Sequence, residues 1–518
     1  MWTISFLDIF FIAFIFRYLI ARKAPIDFDT YGHLYFAKEV KKQKVGPFGK
    51  IKLNVVGNEG YSHPFLWHWL IGIFPILKVL KYQKLINPFI DSIFTVFIFY
   101  ISTQIGFSQN ESLTAAIIYI FTPMWFSRMA IGPRISSLTP RLFSEILSNI
   151  FFIVTLLPLG LPYWIVIIIG AMISCMALVS TKFGIQALFF LTPVISLLTK
   201  NSIPVYALIC GLLLSILISK KKILYSFKEQ YFHLREYYSK NISGKTPISN
   251  RNSIKHFWIS LGERHKGTKK KLMAIIQYLL TRNSYTSVLF KMPILIIIIL
   301  LFFNNIYETG IVVPNYLIMP VIGSVIIYLI INMKRFLFLG EAERYLNHIA
   351  FFIIMSLLFF SSKMNMMWIL NYLLGYGFLY WFFETLFLSK LIPSNLSIQK
   401  CSDEIKSYLQ NENTQLTILS YPYHCCGGFY RLMLETTHST IFDYLDNTVK
   451  GNQSCWYSDI YPFVKLDVVD KMHDELGVNF LIIDNKQLKR RKEGWEPSSL
   501  WKKLEVGFPV YTVYSINE

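Results

Sequence analysis

Apolar residues occur along this chain in long runs, with little strict alternation. Runs of about 17–25 mostly apolar residues, the length that crosses a bilayer as a helix, lie near 3–20, 63–80, 86–104, 113–130, 142–159, 161–180, 184–199, 203–219, 288–304, 315–333, 347–362 and 366–388. They predict a polytopic α-helical membrane protein with about 11–12 membrane segments. The first run contains Asp8 and Arg17, and no small-residue cleavage site follows it. It therefore reads as a retained helix and not as a signal peptide. The run at 63–80 sits in GYSHPFLWHWLIGIFP, dense in Trp, His and Pro, which suits a helix lying along the interface better than a span.

The pattern breaks twice. Residues 1–219 read as an N-terminal membrane module with a first external loop at 21–62, and 220–287 as a basic polar insert. Residues 288–392 read as C-terminal membrane helices, and 393–518 as a soluble α/β domain. Within the insert, YSFKEQYFHLREYYSK mixes aromatics with cations and predicts an amphipathic helix on a membrane surface. In the tail, 416–423, 478–484 and 510–516 are short β-branched and aromatic runs that predict strands. DVVDKMHDELG at 467–477 predicts a helix ended by Gly477. No glycine-rich phosphate fingerprint follows the first of these strands, and no repeat of fixed period is visible.

Composition and charge refine this picture. The 518 residues are 53% hydrophobic and 16% charged, too apolar for a soluble chain of this length. The formal charge of +20 is uneven. Between Lys220 and Lys291 there are 16 Lys/Arg against 3 Asp/Glu, and from Cys401 onward 12 against 16. A basic insert beside a membrane suits anionic headgroups. Without a recognition motif it excludes nucleic acid as the expected partner. Cys175 and Cys210 lie in apolar runs and read as core residues. Cys401, Cys425, Cys426 and Cys455 would support one or two disulfides if the tail lies outside the cytoplasm. The alternative is a metal held by His424, Cys425, Cys426 and Cys455, at a spacing that matches no standard zinc pattern.

Three polar clusters carry candidate chemistry. The first is PIDFDTYGHL, directly after the first helix, with Asp27, Asp29, Tyr31 and His33; His63 follows later in the same loop. In an extended chain Asp27 and Asp29 point to one side. There they could share a divalent metal such as Mg or Mn, or one could act as general base toward a hydroxyl. Asp29 could instead cap a helix over Thr30–Lys41. The second cluster, RMAIGPRISSLTPRLFSEIL, holds Arg134, Arg141 and Glu145. Guanidinium groups suit phosphate, and arginines beside a helix also mark its end. The third, FLGEAERYLNHIAFF, holds Glu341, Glu343, Arg344 and Tyr345. Ionisable residues at a membrane edge point to function, or Glu343 and Arg344 pair with each other at a helix start.

In order and type these clusters resemble the GT-C superfamily of membrane glycosyltransferases. That superfamily includes oligosaccharyltransferase catalytic subunits, protein O-mannosyltransferases and lipid A aminoarabinose transferases. The family carries an acidic motif just after its first helix, as Asp27-Phe28-Asp29 stands here, and Thr30-Tyr31-Gly32-His33-Leu34 is similar to the continuation in oligosaccharyltransferases. SHPFLWHWL, YIFTPMWFSRMAIG and Glu343-Arg344-Tyr345 are similar to later family features, as is a small external α/β domain. The resemblance implies an inverting transfer of sugar from a polyprenyl-phosphate-linked donor to a glycan, lipid or protein acceptor, outside the cell membrane. Asp27 or Asp29 would be the base. Arg134, Arg141 and Arg344 would hold the donor phosphate, with His33, Tyr31, His63 and Glu343 near substrate. The oligosaccharyltransferase pattern has a second acidic pair where this chain has Leu138-Thr139-Pro140-Arg141. The departure favours one aspartate acting as base over a metal site.

If 63–80 lies on the surface, eleven spans place the first loop, 131–141, 335–345 and the tail outside; the side of the insert stays open. Competing readings are a polymerase or ligase of lipid-linked saccharides, a transporter or flippase, and a non-catalytic scaffold. Polymerases and ligases carry their large loop later in the chain. A transporter would show two related halves with broken helices, and no such symmetry is visible. In the scaffold reading, Asp27 and Asp29 serve only a helix start.

Overall fold

The computed structural model describes residues 5–56, 60–62, 64–129, 134–242, 251–264, 267–306, 312–388, 396–422, 429–441, 464–491 and 495–516. It divides into two compact units that interleave along the chain. The first is Met1–Ala24, Val79–Leu224 and Pro247–Ile392; the second is Pro25–Lys78, Tyr225–Thr246 and Pro393–Glu518. The metal alternative on His424, Cys425, Cys426 and Cys455 lies outside the described residues, as does His63.

The first unit is helical. Helices cover Phe6–Arg22, Ile76–Gln104, Gln109–Phe121, Arg141–Leu156, Tyr163–Leu178, Lys182–Thr199, Ile203–Ile218, Ser284–Lys291, Pro293–Asn304, Asn315–Ile331, Ala350–Lys363 and Met367–Phe383. The apolar runs and the helices coincide closely, except that 63–80 divides. Its first part is the short helix Leu66–Gly72, and its end belongs to Ile76–Gln104. Among the described residues, two helices, Ile76–Gln104 and Lys182–Thr199, are long and apolar enough to cross a bilayer alone. The number rises to four if Ile203–Ile218 with Ile223–Phe232, and Ser284–Lys291 with Pro293–Asn304, each form one interrupted span. Proline explains much of the shortfall. Pro162 and Pro314 stand at N-caps, and Pro204 and Pro293 in first turns, so runs continuous in hydropathy are cut into shorter helices. Small residues let these helices approach: Ser174 Oγ donates to the Ala207 carbonyl at 3.1 Å, joining Tyr163–Leu178 to Ile203–Ile218. Cys175 is buried, but Cys210 is exposed and is not a core residue. It stands on the outward face of Ile203–Ile218, a helix apolar all round.

The second unit contains a five-stranded mixed sheet in the order β4-β3-β5-β7-β6. Its strands are β3 (Thr417–Tyr421), β4 (Ser439–Thr440), β5 (Phe480–Asp484), β6 (Trp501–Leu504) and β7 (Tyr511–Ile516); β1 (Lys50–Ile51) and β2 (Tyr61–Ser62) form a separate antiparallel pair in the loop. β3 runs parallel to β4 and β5, with Ile418 opposite Phe480, and β7 runs antiparallel to β5 and β6. Alternate side chains enter two cores. Leu419, Tyr421, Leu481 and Ile483 pack with Val469 and Met472 of the helix Val469–Leu476. Ile418, Phe480, Ile482 and Val513 pack with Ile405, Leu409 and Leu432 from the other side. Both faces are covered, so the strands read as continuous apolar runs. Gly477 ends its helix at φ +69°, where a Cβ would be strained. Cys401 is a buried free thiol.

Candidate functional site

In the second unit the chemistry begins with a helix start. Asp27 is the N-cap of Phe28–Lys42: its Oδ1 accepts from the Thr30 N–H at 3.0 Å and the Thr30 hydroxyl at 2.5 Å. Two expectations are corrected. The cap is Asp27 and not Asp29, and Asp27-Phe28-Asp29 is not extended, because the helix already runs through Phe28 and Asp29. Both aspartates could serve as caps. Capping by Asp27 engages the threonine three residues on with backbone and side chain alike. The two carboxylates therefore do not form the extended pair on which the Mg or Mn alternative rested. Among the described residues no three His, Cys, Asp or Glu side chains are grouped to hold a metal.

The helix is fixed within its unit by the tail. The Tyr430 ring stacks obliquely on Phe28 at 5.0 Å. At Gly32 a Cβ would stand 2.9 Å from Tyr430 Cδ2, so this position needs glycine for the close approach. Lys38 Nζ donates to the Leu434 carbonyl at 2.8 Å, binding the C-terminal end of Phe429–Glu435. Tyr31 is buried beneath the Arg431 guanidinium, 5.7 Å above its ring, and Arg431 is itself paired to Asp403 and Glu435. Burial raises the Tyr31 pKa, a shift partly offset by Arg431. His33 Nδ1 lies 2.8 Å from Nε2 of the buried His68, so one ring donates and the other accepts. Burial pushes the His33 pKa down to about 3, leaving it neutral at pH 7. His68 is thus a buried partner of His33.

In the first unit, buried ions form a continuous chain. Arg17 Nε donates to Asp91 Oδ2 at 2.6 Å, and its terminal nitrogens bind the carbonyls of Ile120 and Tyr119 at 2.7 and 3.0 Å. Asp91 Oδ1 accepts from the Tyr119 hydroxyl at 2.6 Å and from Arg134 Nη1 at 2.9 Å. Arg134 Nε reaches Glu145 Oε2 at 2.6 Å, and the other Glu145 oxygen accepts from Arg141 Nε at 2.9 Å and Asn347 Nδ2 at 3.2 Å. Three guanidinium groups thus share two carboxylates. Arg17 and Arg134 are 1% and 3% exposed, and Asp91 and Glu145 are 0% and 1%. Such charges persist in the interior only when paired and hydrogen-bonded. Arg141 and Glu145 are one helical turn apart, which accounts for their meeting.

The remaining cluster pairs differently from the sequence expectation. Arg344 binds Glu341 at 2.7 Å and lies over the Phe183 ring at 4.3 Å; Glu343 is held by Arg251 and by the Ser284 hydroxyl, at 2.9 Å from the latter. Glu343 and Arg344 are not partners, because their side chains leave the first turn in different directions. The buried Lys291 donates to the carbonyls of Met129, at 3.1 Å, and Leu280. The structure therefore joins Arg134 to Arg141, ties Arg344 to Glu341, and places Tyr31 and His33 on one helix with Asp27 and Asp29. Sequence reasoning missed Arg251, hidden among the insert's cations, and the role of Arg431. Arg17 and Asp91 did leave a signal, as lone charges within apolar runs.

No protein-family model matches the chain, and no curated protein matches its sequence. In structure it is similar to ArnT from Cupriavidus metallidurans bound to undecaprenyl phosphate, with 10% identity, 98% of this chain and 97% of that one covered, and a TM-score of 0.44. It is also similar to the oligosaccharyltransferase of Archaeoglobus fulgidus in the apo form, at 11% identity, 92% and 69% coverage and a TM-score of 0.49. The archaeal oligosaccharyltransferase AglB of Archaeoglobus fulgidus, in complex with an inhibitory peptide and a dolichol-phosphate, shows 11% identity, 93% and 70% coverage and a TM-score of 0.48.

Proposed function

We propose that this chain is an integral-membrane glycosyltransferase. It moves a sugar from a polyprenyl-phosphate-linked donor to an acceptor on the outer face of the membrane, with inversion at the anomeric carbon. The observation that carries this reading is the Arg17–Asp91–Arg134–Glu145–Arg141 chain, in which cations outnumber carboxylates among the described residues. Rigidly held surplus positive charge in a water-poor interior suits a departing phosphate. Arg141, at the end of that chain and on the first turn of its helix, takes the phosphate-binding role, with Arg344 assisting. Arg134 holds the chain together between Asp91 and Glu145. The acidic loop after the first helix supplies the base. Asp27 gives its Oδ1 to the helix cap, and we assign the proton-accepting role to Asp29, in the first turn of the same helix.

In the reaction the acceptor hydroxyl gives its proton to Asp29 as its oxygen bonds to the anomeric carbon. The bond to the lipid phosphate oxygen breaks, and the phosphate leaves with the electron pair. The test is turnover of a polyprenyl-phosphate-linked sugar by the purified full chain in lipid. Asp29→Asn should lower turnover by about 10²–10⁴-fold, the usual range for a general base, while donor still binds. Arg141→Gln should weaken donor binding. Wild-type turnover by both variants would refute the reading.

A further inference from the structure

The insert helix Ile223–Ile242 has two unlike faces. One is buried: Ser226 and Gln230 lie one turn apart, and Ser226 Oγ is 3.1 Å from Ser62 Oγ in the loop of the same unit. The other carries Tyr225, Lys228, Tyr231, Phe232, Arg235 and Tyr238, all exposed. Their spacing of three, four and seven residues keeps them in one stripe. Tyr225 and Tyr231 are 63% and 62% exposed, far beyond what isolated surface aromatics need. Lys228 Nζ lies 5.8 Å from the Phe232 ring centre. The exposed run Lys220–Lys222 immediately precedes the helix, separating it from the apolar helix Ile203–Ile218.

We infer that this stripe docks on an anionic phospholipid surface. Tyrosine and phenylalanine belong at the headgroup level, where the ring is buried and the hydroxyl stays wet. Cations interleaved with them meet lipid phosphates, and the 16 Lys/Arg against 3 Asp/Glu between Lys220 and Lys291 give the matching charge. Among its described residues, a helix attached through Ser226 and Gln230 to its own unit presents the aromatic and basic face outward. The inference is independent of the sugar-transfer reading.

Amide exchange over 223–242, measured on the full chain in nanodiscs, tests it. Adding phosphatidylglycerol to phosphatidylcholine should slow exchange there, by about fivefold for each cation engaged, equivalent to roughly 1 kcal/mol per Lys or Arg near an anionic surface. Lys228→Glu with Arg235→Glu should abolish the slowing and leave exchange in β3, β5 and β7 unchanged. If those strands loosen, the Gln pair at the same positions replaces it. Equal exchange in both lipids overturns the proposal, as does slowing that survives charge reversal. Slowing produced only by an added polynucleotide overturns it in favour of a different partner.

Discussion

Arg134 Nε and Glu145 Oε2 stand 2.6 Å apart in the interior of the helical unit, and Glu145 turns its second oxygen to Arg141 at 2.9 Å. One carboxylate therefore holds two guanidinium groups. Glu145→Ala removes the carboxylate that Arg141 and Arg134 share, leaving Arg134 its bond to Asp91, and should cost about 3–5 kcal/mol, the range for breaking a buried pair from one side. Arg134→Met with Glu145→Leu should lose less than the two single changes together. Thermal unfolding in detergent checks both. Additive losses would show that the two residues do not act as a unit.

The Asp27 cap separates structure from chemistry. Asp27→Ala should destabilise the helix start by about 1 kcal/mol, while Asp27→Asn or Asp27→Ser should retain most of that stability. Asp29→Asn should lower turnover while donor still binds. If Asp27→Asn abolishes turnover and Asp29→Asn does not, the roles assigned to the two aspartates must be exchanged.

His33 sets an acid limit. Its folded pKa is depressed to about 3, whereas the unfolded ring titrates near 6.5. As pH falls through about 6.5 the unfolded chain takes up the proton first. Stability is therefore full above that pH and declines toward about 3. His33→Gln should flatten this decline in unfolding midpoints measured across the range. An unchanged pH profile would assign the acid sensitivity to other groups.

Gly32 tests the contact between the loop helix and Phe429–Glu435. Its missing Cβ lies 2.9 Å from a ring atom of Tyr430, which is only 1% exposed. Gly32→Ala should cost about 1–3 kcal/mol by overpacking, despite the better helix propensity of alanine. Tyr430→Leu in the same chain should recover part of the loss. A stabilised Gly32→Ala protein would contradict the packing.

Helix positions were legible in hydropathy because the apolar runs coincide with the helices. Their lengths were less so, since proline shortens helices without lowering hydropathy much. The tail strands were legible for a related reason: Ile418, Phe480 and Ile482 on one face and Leu419, Leu481 and Ile483 on the other are all apolar. The short β6 was not, because Lys502 and Lys503 interrupt its pattern. Lys502 and Lys503 lie on a strand at the edge of the sheet, where charge is usual. For the candidate site, residue types were visible but partners were not. Arg17 and Asp91 are 74 positions apart, and a linear pattern does not encode which buried acid meets which buried base. Asp27 and Asp29 are equally good caps by type, so only the Thr30 contacts distinguish them.

The interleaving of the two units bears on how the chain is made. Residues 25–78 emerge early in synthesis, yet Phe28 and Gly32 pack against Tyr430, and Thr440 exchanges backbone hydrogen bonds with Asn54 and Val56. The tail-facing apolar side of the loop therefore lacks its partner until the tail itself has been translated. The second unit cannot be cut out as a continuous C-terminal fragment without losing that partner. Its assembly needs residues 25–78 and the tail together.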